Sequence, residues 1–393
     1  MKYAMITIEL FERRTRFAID YFIYLGGKKM STNNRYPCLE IDTKKLRHNI
    51  DTMAEMCQKQ GIQVAGVIKG FHAIPELVKE FDDSICKYIA TSRIEQIIEA
   101  KEAGCKTPFI MIRIPMPSEI SDLVKYVEYS LNSEISTLDQ INEECIRQDK
   151  RHGVILMADL GDLREGFWDK EEMLQAANHV EKELSNVDLM GIGTNLGCYG
   201  SIKATPEKMN ELIEIAEKIE ASIGRELEII SGGATTSAIM VFDGTMPKRI
   251  NHLRIGEGVI LAYDYGKLFG VDASFLNQDV FTLKAQIVEV KDKPSHPVGE
   301  LSYDAFGRVQ TYEDRGIRRR ALVALGKVDI GDADCLLPRN HSVEILGASS
   351  DHLILDIENC KEDLKVGDVL EFDLCYATIV YATSSRNIHI CVK

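Results

Sequence analysis

Eight short, apolar, β-branched runs alternate with stretches of helical periodicity between Val64 and Ile255, and this alternation leaves the chain few folds to adopt. The runs are VAGVIK ending at Lys69, KYIAT at Thr91, PFIMIR at Arg113, EYSLN at Asn132, VILMAD at Asp159, DLMGIGT at Thr194, LEIIS at Ser231 and HLRIG around Arg254. Between them, IPELVKEF, SRIEQIIEAKEAG and STLDQINEECIRQD repeat apolar residues at the spacing of one helix face. Each strand and helix unit takes about 24 residues, which favours a closed parallel (β/α)8 barrel of the TIM type over an open sheet.

In such a barrel the C-terminal ends of the strands surround the active site. Lys69, Arg113, Asn132, Asp159 and Arg254 stand at those ends and are expected to point into one mouth. Taken singly, each could equally mark where a buried strand stops. After about residue 275 the pattern changes to period-two alternation: FTLKAQIVEV, RRALVALGKV, SVEILGA, HLILDIE, VLEFDLCYA and NIHICVK read as six strands of a separate all-β domain. The expected organisation is a barrel over residues 36–270 and a β domain over residues 275–393.

The segment Phe17–Gly27 follows Arg13, Arg14 and Arg16, but Asp20 interrupts it and no small-residue cleavage site follows. Residues 1–35 therefore read as a poorly structured extension rather than a secretion signal, with the STNN after Met30 resembling an ordinary start. Ten cysteines without a CxxC pair suit a reducing, cytoplasmic setting. The net charge of −14 argues against nucleic acid as a partner, and no apolar run is long enough to span a bilayer. The histidines lack metal-ligand spacing, so no metal is expected. GIGTNLG, from Gly191 to Gly197, matches a dinucleotide fingerprint poorly.

Two glycine-rich segments follow the seventh and eighth runs, SGGATTS from Ser231 to Ser237 and RIGEG from Arg254 to Gly258. Loops at these two places commonly hold a phosphate through backbone N–H groups; a pair of tight turns is the alternative. The first run ends in a lysine, and a lysine with a phosphate cradle is the minimal binding set for pyridoxal phosphate.

AGVIKGFHA around Lys69 resembles the pyridoxal-lysine motif of the alanine racemase family, whose architecture is a barrel followed by a β domain. Further segments match in order: ILMADLGDLREGF its substrate-carboxylate segment, ATTSA its phosphate loop, HLRIGEG its arginine segment, LSYDAFG its catalytic tyrosine segment, and SSDHLILDI a strand completing the neighbouring site. VIKGFHA, DLGDLREG, DAFG and GIRRRAL look closest to the ornithine racemase branch.

The resemblance implies a racemase that uses pyridoxal 5'-phosphate and two opposed proton carriers, acting as a homodimer with shared sites. Lys69 would carry the cofactor and work on one face of the substrate, and Tyr303 from the other subunit on the opposite face. Arg254 would bond the pyridine nitrogen. Thr236, Ser237 and the backbone of Gly256 and Glu257 would hold the phosphate. Arg164 would orient the tyrosine or hold the substrate carboxylate, and Asp351 would meet the substrate from the completing strand.

The departures from the family pattern also carry information. Ala73 replaces a phosphate-binding tyrosine, so His72 or a water would have to substitute; Met157 replaces a modified lysine; Asn195 stands where a histidine stacks near the cofactor ring. Asp162, Glu165 and Asp304 add negative charge that an alanine pocket does not need and a basic side chain would. The resemblance thus points to ornithine or another basic amino acid as substrate. Asp304 is a rival to Tyr303 as proton carrier. An alanine or broad-specificity racemase stays open, as does a basic amino-acid decarboxylase, for which Cys335 and Cys360 are the nearest cysteines. A non-catalytic cofactor carrier fits less well, because such proteins lack a β domain.

Overall fold

The computed structural model of the protein describes residues 35–309 and 311–393. The extension expected over residues 1–35 lies, but for its last residue, outside them. A short strand β1 (Cys38–Ile41) is followed by the helix Thr43–Gln58, whose first turn is capped by Asp42 accepting from the Lys45 N–H. The eight expected runs then appear as β2 (Gln63–Val67), β3 (Tyr88–Thr91), β4 (Phe109–Met111), β5 (Tyr129–Asn132), β6 (His152–Ala158), β7 (Val187–Thr194), β8 (Ile229–Ser231) and β9 (His252–Ile255). All neighbours pair in parallel, and β9 closes on β2.

Strand alternation divides the core in two. Ala65, Val67, Tyr88, Ala90, Ile110, Leu131, Ile155, Met157 and Ile229 fill the barrel interior. The intervening strand residues face outward onto the helices in the larger apolar cluster. Gly66 shows how close that outer packing is, because a Cβ there would lie 2.3 Å from Cδ1 of Phe81 on the helix Pro75–Asp82.

The β domain contains β10 (Phe281–Pro294), β11 (Ile317–Val323), β12 (Leu337–Pro338), β13 (Glu344–Ala348), β14 (Leu353–Asp356), β15 (Val369–Asp373) and β16 (His389–Val392). The main path runs β12–β15–β10–β11–β14–β13. All six expected strands are present. Two features differ from the expectation. β1 pairs antiparallel with β10 and parallel with β16, so a segment preceding the barrel is part of the second sheet. The run VLEFDLCYA stops being a strand at Asp373, and Tyr376–Ser384 forms a helix.

That helix packs against the turn carrying Lys69. A Cβ on Gly70 would lie 3.2 Å from Cε2 of Tyr376, and His72 Nδ1 lies 3.1 Å from Oγ1 of Thr383. No helix among the described residues is long and apolar enough to cross a membrane.

Barrel closure has one especially tight point, where Gly191 on β7 lies against β8. A Cβ there would stand 1.8 Å from the carbonyl oxygen of Ile229, a backbone atom that cannot move without opening the ladder. Gly191→Ala is therefore expected to destabilise the fold by about 3 kcal/mol or more, read from a denaturant titration. Gly61→Ala is the contrast: it meets no atom within 4 Å, and its positive φ of 76° should limit the loss to about 1 kcal/mol.

Candidate functional site

A cavity of about 490 Å³ opens at the C-terminal ends of the barrel strands. The loops after β2, β6, β7, β8 and β9 form its walls, and Tyr376 reaches it from the β domain. Lys69 enters because the chain leaves β2 in a 3₁₀ turn, Lys69–Phe71, which His72 and Ala73 end with positive φ of 52° and 51°. The Lys69 Nζ makes no hydrogen bond or ion pair among the described residues. Burial, with the nearby Arg164 charge, lowers its affinity for a proton below that of a free lysine.

Arg254 lines the same cavity and is buried. Its Nη1 donates to Ser231 Oγ at 2.5 Å and its Nη2 to the Thr194 carbonyl at 2.8 Å. Burial brings its pKa down to about 10, which leaves it charged at neutral pH. Arg164 is bonded by the carboxylate of its neighbour Glu165 through Nε and, at 2.6 Å, through Nη2. Asn195 is 9% exposed, and its Nδ2 finds no partner although the residue lines the cavity.

The two glycine-rich loops form the opposite wall. Thr236 Oγ1 donates to the Leu196 carbonyl at 3.2 Å, and Thr235 Oγ1 accepts from the Gly258 N–H at 3.1 Å. Gly256 is needed for close approach, since a Cβ there would stand 2.8 Å from Cβ of Val67. The N–H groups of Thr235, Thr236 and Glu257 have no partner among the described residues, whereas Ser237 donates to the Ala234 carbonyl and Val259 and Ile260 to that of Gly256. Burial, followed by the neighbouring Asp264, pushes the Glu257 carboxyl up to about 7.

Of the residues singled out in the sequence, the structure brings Lys69, Arg164, Asn195, Thr236, Arg254, Gly256 and Glu257 to one cavity. Glu165 lines it as well, and the rest lie elsewhere. Asp162 is 1% exposed and accepts four backbone N–H groups, from Gly197 and Ile202 on Oδ1 and from Cys198 and Tyr199 on Oδ2. It organises the loop after β7 and has no oxygen left for a substrate. The Ser237 hydroxyl is turned back onto the Gly232 carbonyl at 2.7 Å, which closes the loop it was expected to open to phosphate.

Tyr303 is 73% exposed on the loop between β10 and β11, away from this chain's cavity. Asp304 accepts from the N–H groups of Phe306 and Arg308 within the same loop. Asp351 is exposed between β13 and β14 and accepts from Ser350 Oγ. Among the strand-end residues, Arg113 clamps Ser92 and Glu119, Asn132 turns to Ser130, and Asp159 holds the N–H groups of Gly161 and Leu163, so only Lys69 and Arg254 of those five reach the cavity. Cys335 and Cys360 do not line it.

Tyr376 is the residue that sequence reasoning missed. Burial, followed by the Glu257 charge, raises its hydroxyl to about 12, so it remains a donor. Its signal was slight: Thr378 three residues after Cys375, whose Oγ1 accepts the Cys375 N–H at 2.8 Å and starts a helix.

The donor set suits pyridoxal phosphate. An unpaired lysine amine, an arginine fixed at the strand ends, an orphaned buried amide and a cradle of free N–H groups meet in one space. Asp162→Ala, which orphans four N–H groups, is expected to destabilise by about 3 kcal/mol in a denaturant titration, while Glu165→Ala at the mouth stays within about 1 kcal/mol.

Residues 41–264 match the family described as alanine racemase, N-terminal domain. The chain is 40% identical over 353 residues to an ornithine racemase of Acetoanaerobium sticklandii, covering 90% of this chain and 98% of that protein. It is 37% identical over 350 residues to a lysine racemase of Thermotoga maritima, covering 89% and 96%. An alanine racemase structure from Clostridium difficile 630 superposes with a TM-score of 0.69 at 18% identity, over 92% of this chain and 97% of that one.

Proposed function

The chain belongs to the alanine racemase family, and from that premise we propose that it is a pyridoxal-phosphate-dependent racemase of basic amino acids, ornithine foremost. The observation that carries the reading is Lys69: a half-buried amine without a partner, in a cavity whose other walls offer Arg254 and the free N–H groups of two glycine-rich loops. The relatives named ornithine racemase and lysine racemase support the substrate class.

Lys69 would hold the cofactor, Arg254 would face its ring nitrogen, and Thr236 with the backbone of Gly256 and Glu257 would hold its phosphate. Tyr376, standing over the same cavity, is a further donor in place of the tyrosine that Ala73 replaces, because His72 is engaged with Thr383. When bound, the cofactor takes up the electron pair left at the substrate Cα once its proton is removed. Lys69 moves the proton on one face of that carbon, for which its reduced proton affinity suits it. The second face needs another carrier, and Tyr303 of a partner subunit is the proposed one. Its exposure in this chain supports a role in a neighbour's cavity, as does that of Asp351. Arg254, permanently charged, keeps a proton off the ring nitrogen and so favours return of the proton to Cα over other fates. Arg164 receives the substrate carboxylate through its planar fork. A homodimer follows from this division of labour, and ten free thiols support a reducing, cytoplasmic setting.

The test is proton NMR of the cofactor-loaded protein with L-ornithine in deuterium oxide, with chiral chromatography of the product and L-lysine and L-alanine in parallel. Loss of the α-proton signal with appearance of the D-enantiomer is expected. Exchange without inversion, or release of a diamine, would overturn the two-carrier racemase, and the diamine would favour the decarboxylase. Lys69→Ala should lose both racemisation and the visible absorption of lysine-bound cofactor. Tyr303→Phe should keep that absorption and lower turnover by about a hundredfold or more; full activity would transfer the role to Asp304.

A further inference from the structure

A basic amino acid brings a second ammonium group, and the three carboxylates that the sequence offered for it are all engaged. Asp162 is saturated by backbone N–H groups, Glu165 is bonded by Arg164, and Asp304 holds its own loop. Glu257 differs from all three. It lines the cavity beside Lys69, and among the described residues no lysine or arginine forms an ion pair with it. Asp264, buried at 5% exposure, hydrogen-bonds to it through a shared proton. Two carboxylates facing one another in a pocket favour any cation that arrives.

An independent feature of the same cavity also calls for a ligand: Asn195 Nδ2, more than nine-tenths buried and without a partner. The space itself has a shape. Gly70, Ile260 and Tyr376 crowd one another, since a Cβ on Gly70 would lie 3.1 Å from Ile260 Cδ1 and 3.2 Å from Tyr376 Cε2.

Resting on the racemase reading above, we propose that the Glu257 side chain, backed by Asp264, is the receiving group for the distal ammonium of a basic amino-acid substrate. Its raised pKa of about 7 is what burial beside another acid does to a carboxyl lacking a cation, and a bound ammonium would reverse it. Lys69 is the other cation near it, and that amine would be taken up in holding the cofactor.

The test compares cofactor-loaded wild type, Glu257→Gln and Glu257→Asp on L-ornithine, L-lysine and L-norvaline, which has the ornithine skeleton without its ammonium. Visible absorption of the bound cofactor is read alongside. Glu257→Gln is expected to lower kcat/KM for ornithine relative to norvaline by about tenfold or more while keeping the cofactor band. Glu257→Asp, which keeps the charge but withdraws it by one methylene, is expected to shift preference from ornithine toward the longer lysine. An unchanged ornithine-to-norvaline ratio overturns the proposal, as does an equal loss on all three substrates or loss of the cofactor band in both variants. Failure of the wild type to racemise any of the three would instead refute the racemase reading itself.

Discussion

Three cationic side chains, Lys69, Arg164 and Arg254, meet around one small cavity, and much of the surrounding structure serves to hold them there. Each is balanced differently. Arg254 is buried but keeps its charge, because a backbone carbonyl and a serine hydroxyl take two of its N–H groups. Arg164 is tied to the carboxylate of the next residue. Lys69 has no such partner, and its burial together with Arg164 drives the amine toward its neutral form. The result is a site that favours an anion beside the guanidinium groups and contains an amine that gives up its proton more readily than a free lysine. Both properties follow from crowding like charges where water is scarce.

The orientation of Arg254 can be followed one layer deeper. Arg254 Nη1 donates to Ser231 Oγ, and Ser231 Oγ lies 2.8 Å from His252 Nδ1. Burial and the Arg254 charge hold His252 down to about 3, so the ring is neutral and its Nδ1 can accept the serine hydrogen. The remaining ring nitrogen, Nε2, is then the N–H and has no partner. A protonated ring could not accept that hydrogen, and the serine would face two donors. Keeping His252 neutral therefore keeps Ser231 aimed and Arg254 fixed.

The sequence displayed whatever was local and periodic. All eight barrel strands and six strands of the β domain were legible, because a buried parallel strand is a short apolar run and a half-buried one alternates. Lys69 and Arg254 were legible because strand ends in a barrel share one mouth. What stayed hidden depended on distant partners or on side-chain direction. CLEI is four residues whose neighbours are β10 and β16, hundreds of positions later. YATIVYATS is rich in β-branched residues and reads as a strand, yet its place against the Lys69 turn makes it a helix. Asp162 and Glu165 lie within four residues and look interchangeable in sequence. Only the fold shows that one is buried under four N–H groups while the other faces the cavity.

The division of the proposed site between two chains has a physical rationale in this fold. Barrel loops can surround a substrate from the sides and beneath, but two-sided proton transfer needs a group approaching from the open end. Any residue placed there by the same barrel would have to cross the mouth that the substrate uses. A loop borne on a separate sheet can enter from outside, and the chain carries one between β10 and β11, with Val298 at 90% and Tyr303 at 73% exposure. Solitary loops with that much apolar surface are unfavourable in water. Burying them in a partner's mouth, beside the exposed Leu163, Trp168 and Tyr199, would relieve both surfaces at once and would bring the proposed second proton carrier to the cavity. On this reading the β domain serves two cavities, closing its own with Tyr376 and completing its neighbour's with Tyr303.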